Sequence, residues 1–577
     1  MKRSFPLFLF LLASACASVA PPATAPQSGP VHVVFVHTTD VHGWFNGHAE
    51  TPPGGGEGVL WGGLPTLASY VDVLREQHGN RVVVIDSGDM FQGTLESNLF
   101  EGAAVIRGYN RIGYAAAAVG NHEFDFGPLG DDVVARKPGD DPLGALKRNT
   151  QLAMFPFLSA NMVEKSTGQV PDWAKPYTVV TRGGAKIGII GLSTPDTPNV
   201  TMAANVITLS FTDPAAATIK AAQELRAQDV DAIIVIAHMG GRCTKNDDPH
   251  DPSSCEDQHE VMKYLAALPP GTIDAYFAGH THSRMRHVIN GVPTLQAGAL
   301  SREFSTLDLW IDTANNRVAK SELRPQTMIC SFVYEGSEEC DPRNGAGKKL
   351  VPRVYNGQTI KPSARLASAL APYLRQVAAK REQRLGVKVT NPVARHYAGE
   401  SPLGNLIADA LRVGTQSDIA FMNSGGIRSD LVAGDLVYGD VFAVSPFDNF
   451  PAVARMTGKQ IRDFLLATTS GARGIMQVSG LRYVVDLAKG PERIVSMTLP
   501  SGEALQPDKT YQVVMPDFVA GGGDGTQDVM RDVGADNVLI YYARPIRDLL
   551  AEEWKKLPQP LAPKTEGRIT ILNAPAR

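Results

Sequence analysis

The stretch Gly120-Asn121-His122-Glu123-Phe124-Asp125-Phe126-Gly127 puts an amide, an imidazole and a carboxylate within a few residues of one another, between glycines that free the backbone. It follows the small apolar run Ala115 to Val119, which predicts a buried strand end or a tight packing surface. An Asn carbonyl can ligate a hard cation, and His122 with Asp125 close behind can form an oriented acid/base pair. A lone Asn-His-Glu is more often a polar turn. What overturns that reading is the recurrence of similar clusters through the first half of the chain.

Upstream, Val31-His32-Val33-Val34-Phe35-Val36 predicts a buried strand from its β-branched content, and Asp40-Val41-His42 follows it. Glycines at 54–56 and 62–63 mark a loop ahead of an amphipathic helix from Leu64 to Gln77. Arg81 to Ile85 is the next strand and ends in Asp86-Ser87-Gly88-Asp89. Downstream of an Asp-, Gly- and Pro-rich insertion, Gly127 to Pro142, Lys186 to Gly191 reads as a strand and Pro214 to Asp229 as a helix. Asp231 to Ala237 is a strand ending at His238-Met239-Gly240, and Ile273 to Ala278 leads to Gly279-His280-Thr281-His282.

Strand after strand thus delivers a carboxylate, amide or imidazole at its carboxyl end, the edge where sites assemble in open α/β sheets. The candidate ligands are Asp40, His42, Asp89, Asn121, His238, His280 and His282. Oxygen and imidazole donors without thiolate suit Mn, Fe, Zn or Mg rather than Cu(I) or an iron–sulfur cluster. One Asp-x-His pair arises often by chance; these clusters in this order do not. His37, near the first strand's end, is read either as supporting the ligands from behind or as simply packed, His48 and His78 as solvated, and His250, His259 and His287 as lying in or beside loops without a role.

The chain has 577 residues, more than one hydrophobic core holds, so two large domains are expected. A formal net charge of −4 gives no global positive field for a nucleic-acid backbone. Lys2 and Arg3, the apolar run Phe5 to Leu12 and small residues up to Cys16 form a secretory signal too short to span a membrane. Ala13-Ser14-Ala15 before Cys16 suits ordinary cleavage and also resembles a bacterial lipoprotein site, with a lipid anchor on Cys16; Ala17 to Pro30 reads as a tether. Export favours two local disulfides, Cys243–Cys255 and Cys330–Cys340, that staple loops.

The order Asp-x-His, Gly-Asp, Gly-Asn-His-Glu, His, Gly-His-x-His resembles the calcineurin-like metallophosphoesterases. With the second half of the chain it resembles the periplasmic 5′-nucleotidase/UDP-sugar hydrolase family, over nearly all of Val31 to Leu572. The resemblance implies two divalent metal ions (Zn, Mn, Co, Fe or Mg). Asp40, His42, Asp89 and His282 would hold one; Asp89, Asn121, His238 and His280 would hold the other, with Asp89 bridging. It further implies attack of a metal-bridging hydroxide on phosphorus, with His122 assisting the leaving group and Asp125 orienting His122. Some relatives carry Gln or Asn where this chain has His282; either ligates, so that change bears on metal preference.

In the second half, Asp308 to Ile311 reads as a closing strand. A helical pattern runs from Ser363 to Leu385, apolar at Leu366, Leu370, Leu374 and Val377, with Pro372 expected to kink it. Its Lys- and Arg-rich face is a solvated one. Gly404-Asn405 starts a helix, and Ile419 to Met422 is a strand feeding Asn423-Ser424-Gly425-Gly426-Ile427-Arg428. Ser445-Pro446-Phe447-Asp448-Asn449 and Asp517-Phe518 through Gly523-Asp524-Gly525 follow. Together they supply two aromatic faces, an arginine and a carboxylate behind close-approach glycines, an inventory that stacks a base and binds a polar head group. The resemblance implies that Phe447 and Phe518 sandwich the base, that Asp524 contacts ribose or base, and that Asn423, Arg428 and Asn449 complete the site. One departure stands out: the family usually has a phosphate-holding arginine before the Gly404-Asn405 helix, where this chain has Tyr397, with Arg395 displaced from the place.

The expected architecture is α/β (α+β). Residues 1–15 are a signal peptide and 16–30 a tether. Residues 31–362 form a four-layer metallophosphoesterase β-sandwich flanked by helices, 363–388 a linker helix and 389–577 an α/β substrate-binding domain. The expected function is an exported phosphohydrolase of 5′-nucleotides, with UDP-sugars or cyclic nucleotides as further substrates, acting as a monomer without nucleic-acid partners in the periplasm or on the outer membrane. A metal-dependent hydrolase of another anionic ester, of phosphodiester or thiosulfate type, is the alternative, and a non-catalytic envelope ligand-binding protein a third. A two-domain layout with a kinked helix predicts that rotation of the C-terminal domain carries substrate to the metals.

Overall fold

The structure, a computed structural model, describes residues 29–53, 55–130, 132–469, 474–541 and 544–574. The signal, Cys16 and nearly all of the tether lie outside them. Among the described residues no helix is long and apolar enough to cross a membrane.

Two sheets stack face to face in the N-terminal half. The first runs Arg317–Leu323, Glu303–Asp312, Val31–Thr38, Val82–Asp86, Ala116–Ala118, Phe157–Leu158, the last four mutually parallel. The second runs Arg284–Ile289, Val292–Ala297, Ala275–Ala278, Ala232–His238, Ala185–Ser193, Tyr177–Arg182, again parallel at its centre. The central strands are apolar on both faces because both are covered, as parallel sheets require. Val33, Phe35, Val83 and Ile85 meet Ile187, Ile189, Ile234 and Ile236 between the sheets. The alternate residues Val36, Val82 and Val84 pack under the helices Leu64–His78 and Ala103–Ile112. Ile190, Ile233 and Val235 pack under Pro214–Arg226 and Glu260–Ala267. Period-2 side chains thus build a helix–sheet–sheet–helix stack.

The helix Ala364–Arg381, capped by Ser363 and containing Pro372, joins the two halves. Leu366 and Leu370 pack into the N-terminal core, and Val377 into the C-terminal one. It ends earlier than its apolar pattern predicts, because Leu385, Val387 and Val389 alternate as a strand, Arg384–Val389, paired with Gly434–Val437. Beyond it a five-stranded sheet runs Met476–Ser479, Ile419–Asn423, Thr510–Pro516, Pro451–Thr457, Val538–Ile540. Pro402–Gly414 and Ile546–Lys556 pack in the core that covers one face, and Gly458–Thr468 in the core on the other. Both local disulfides, Cys243–Cys255 and Cys330–Cys340, are formed.

His48 is buried rather than solvated: its ring stacks on Trp44 at 3.9 Å, and Nε2 bonds the Leu300 carbonyl at 2.8 Å. His287 lies buried within the strand Arg284–Ile289.

Candidate active site

Each candidate ligand leaves the carboxyl end of a parallel strand: Asp40 and His42 after Val31–Thr38, Asp89 after Val82–Asp86, Asn121 after Ala116–Ala118. His238 ends its own strand, and His280 and His282 follow Ala275–Ala278. Five of these residues, Asp40, His42, Asp89, His280 and His282, hold left-handed backbone at φ 51°, 48°, 55°, 77° and 54°. Such conformations cost on the order of 1–3 kcal/mol each and persist where the surroundings over-determine them, a signature of functional sites.

Two groups result. Asp40, His42 and His282 bring one ligand atom each within 4.8 Å of one another, and so do Asp89, His238 and His280. Asp89 stands between the groups: its Oδ2 is 3.0 Å from His238 Nε2 and 3.6 Å from His42 Nε2. The tautomers are set from behind. His42 Nδ1 donates to the Gln92 carbonyl at 3.0 Å and His238 Nδ1 to the Ser87 carbonyl at 2.8 Å. That leaves His42 Nε2 bare, 3.0 Å from His282 Nε2, and turns His238 Nε2 toward Asp89 Oδ2 at 3.0 Å and Asn121 Oδ1 at 3.1 Å, where it either carries a proton or faces a cation. Acceptors converging on acceptors in a buried pocket repel one another unless positive charge sits among them, so the donor set fits two hard cations.

The electrostatics agree. Burial lowers His42 to about 3, keeping it neutral. Burial also disfavours charge on His238, but Asp89, Asp40 and Glu123 outweigh it and push it up to about 10. Asp40 is pushed up to about 7 by burial, whereas at Asp89 burial is outweighed by the imidazoles of His238 and His122, which hold it well below the usual carboxylate range. A third cluster, Cys243, Cys255 and His287, offers no thiolate because its cysteines are bridged.

His122 Nδ1 lies 2.5 Å from Asp125 Oδ2, and its backbone N–H donates to Asp89 Oδ1 at 2.9 Å. Burial opposes charge on His122, yet Asp125 and Asp89 outweigh it and raise its pKa. Several supporting roles are not readable from the sequence. Thr201 donates to Asp125 Oδ1 at 2.8 Å, fixing the carboxylate that orients the ring. Glu123 accepts from the N–H groups of Asp89 (2.9 Å), Met90 (2.8 Å) and Gly120 (2.6 Å), stapling two ligand loops together. Burial and the Asp89 charge push Glu123 up to about 8. A methyl group at Gly120 would sit 2.3 Å from Asp89 Oδ1, so only glycine lets these loops meet. His37, behind the site, bonds Ser87 Oγ at 2.9 Å.

The C-terminal half closes over this edge and leaves a cavity of about 500 Å³. Its walls include Asp89, Asn121, His122, His280 and His282 on one side and Asn423, Arg428, Phe447, Asn449, Phe518 and Asp524 on the other. Phe447 stacks on His122 at 5.7 Å, and the Arg428 guanidinium lies 5.6 Å from the Phe447 ring. Asn423 Nδ2 donates to Asp524 Oδ2 at 2.7 Å, and Asn449 Nδ2 to Asp517 Oδ1 at 2.9 Å. Tyr397 lines the same cavity, while Arg395 donates to the Ile427 carbonyl at 3.0 Å. Arg242 also lines it, a residue no motif had singled out.

Residues 33–284 match the calcineurin-like phosphoesterase family and residues 378–531 the 5′-nucleotidase C-terminal domain. A 5′-nucleotidase of Vibrio cholerae is 29% identical over 95% of this chain and 96% of its own length. The protein UshA of Escherichia coli is 27% identical over 86% of this chain and 87% of its own. The crystal structure of a 5′-nucleotidase precursor from Thermus thermophilus superposes with a TM-score of 0.73 at 26% identity, covering 94% of this chain and all of that one.

Proposed function

The chain belongs to the family that joins a calcineurin-like phosphoesterase domain to a 5′-nucleotidase C-terminal domain and is a metal-dependent phosphoester hydrolase; from that premise we propose that it releases phosphate from 5′-nucleotides. The observation that carries this reading is one cavity that has the candidate ligands Asp89, Asn121, His280 and His282 on one wall and two aromatic rings with Arg428 and Asp524 on the other. Its size and mixed lining suit a nucleoside monophosphate.

Asp40, His42, Asp89 and His282 would hold one divalent cation, and Asp89, Asn121, His238 and His280 the second. The pair would supply charge neutralisation at the phosphoryl group and acidify water at neutral pH. His122, its Nδ1 tied to Asp125, presents Nε2 to the departing ester oxygen and delivers a proton there. Asp125, itself held by Thr201, keeps the ring oriented. Phe447 and Phe518 flank the base, Asp524 with Asn423 and Asn449 bind the nucleoside's polar groups, and Arg428 reaches the phosphate. The domain limits proposed from the sequence apply, and the charged, apolar and small-residue order up to Cys16 supports export to the bacterial periplasm with an anchor on Cys16; the intact mass of the mature N-terminus tests that part.

The deciding experiment measures phosphate release from AMP by metal-stripped protein before and after adding Mn²⁺, Co²⁺, Zn²⁺ or Mg²⁺. His122→Ala serves as control, with UDP-glucose and bis(p-nitrophenyl) phosphate beside it. Metal-restored AMP cleavage that the variant loses is the expected result. Cleavage of the simple diester but not of AMP would remove the nucleotide assignment.

A further inference from the structure

Arg242 follows Gly240 and Gly241 on the segment leaving the strand Ala232–His238 at its carboxyl end, the strand that ends in the candidate ligand His238. Its backbone is pinned. The Gly241 carbonyl accepts from Thr281 Oγ1 at 2.7 Å and from Ser283 Oγ, the Arg242 carbonyl accepts from Glu256 N–H at 2.9 Å, and Cys243 is bridged to Cys255. Thr281 separates His280 from His282, so this anchorage ties Arg242 to the loop carrying two candidate ligands. Its guanidinium lines the cavity yet makes no hydrogen bond or ion pair with the described residues.

The carboxylates on the cavity wall are engaged elsewhere. Asp125 is held by His122 and Thr201, Asp196 accepts from Asn199 at 2.8 Å, Asp448 pairs with Arg547, and Asp524 accepts from Asn423. Asp89 sits among the imidazoles. Arg242 therefore brings an uncompensated planar cation, with five N–H donors unused, to the rim of the phosphoryl site. That fork matches two oxygens of a terminal phosphate. Arg428, the cavity's other arginine, comes from the C-terminal domain, whereas Arg242 comes from the domain that carries the candidate metal ligands.

We propose that Arg242 grips the terminal phosphoryl group of the substrate and biases the enzyme toward phosphomonoester dianions over diesters. A diester has one fewer charged oxygen to offer the fork. The proposal rests on the phosphoester-hydrolase reading of the site and is independent of the nucleoside assignment.

The test compares metal-loaded wild type with Arg242→Gln and Arg242→Lys at alkaline pH. Its three readouts are kcat/KM on p-nitrophenyl phosphate, kcat/KM on bis(p-nitrophenyl) phosphate, and calorimetric affinity for inorganic phosphate. Arg242→Gln should weaken phosphate binding and monoester kcat/KM about 10- to 100-fold, the scale of one charge-assisted contact, with a smaller fall on the diester. Arg242→Lys should recover part of the loss, keeping charge without the fork. Unchanged phosphate affinity in Arg242→Gln overturns the proposal, and so does an equal fall on both esters, which would mean a structural role. If wild type cleaves p-nitrophenyl phosphate but not AMP, only the nucleotide reading fails. If it cleaves no ester, the calorimetric comparison still decides.

Discussion

The two walls of the cavity are built differently. On and behind the N-terminal wall Asp40, His42, Asp89, Asn121 and His238 are buried, most candidate ligands sit in costly left-handed backbone, and the far nitrogens of His42 and His238 are tied to carbonyls. On the C-terminal wall Phe447, Phe518, Arg428 and Asp524 are half-buried, and Tyr397 is 42% exposed. They sit on short turns and loops, where Asp524 accepts from Asn423 and Arg428 donates to the Gly425 carbonyl of its own loop. Rigid ligands are what charge-stabilising chemistry needs, because stabilisation preorganised around the reacting group costs nothing at the moment of reaction. An adaptable wall tolerates change in what is bound. The chemistry is thus the stiff part of this enzyme and its specificity the soft part.

Several substitutions can break or sharpen that contrast. Asp89→Asn strikes both ligand groups at once and should lower kcat at least about 10³-fold, the several kcal/mol that metal charge supplies, with metal content falling by elemental analysis. His122→Ala should cost about 10²- to 10⁴-fold in kcat, the range for a general acid, while metal content stays at the wild-type value. If metal is lost as well, the two roles on this wall are not separable. Phe518→Ala should raise KM for AMP about 5- to 100-fold, the scale of base stacking, and alter p-nitrophenyl phosphate turnover little; an equal effect on both would mean that the C-terminal wall is as stiff as the other. Thr201→Val should lower kcat about fivefold, the worth of one hydrogen bond, because Asp125 still reaches His122.

The candidate ligands' order and their position at strand ends were legible in the sequence, because each depends on a few neighbouring residues. Val31 to Val36 reads as buried on both faces, and Asp40 lies where the chain must turn. The helix end at Arg381 was misread since Leu385 extends a helical pattern and also begins the alternation of the next strand. The burial of His48 is not legible because the Leu300 carbonyl that pairs with its Nε2 lies 252 positions away. Thr201 and Arg242 carry no motif; each matters through a partner or a cavity wall that only folding supplies.

By itself the sequence determined that oxygen- and nitrogen-bearing side chains, the candidate ligands, would gather at one sheet edge beside an oriented imidazole. Only the tertiary structure decided which ligands share a group, which imidazole nitrogen stays bare, and that Glu123 clamps the Asp89 and Gly120 loops. The physical reason is distance along the chain. His42 and His282 come to 3.0 Å across 240 positions because two sheets pack face to face, and no local pattern encodes that closure.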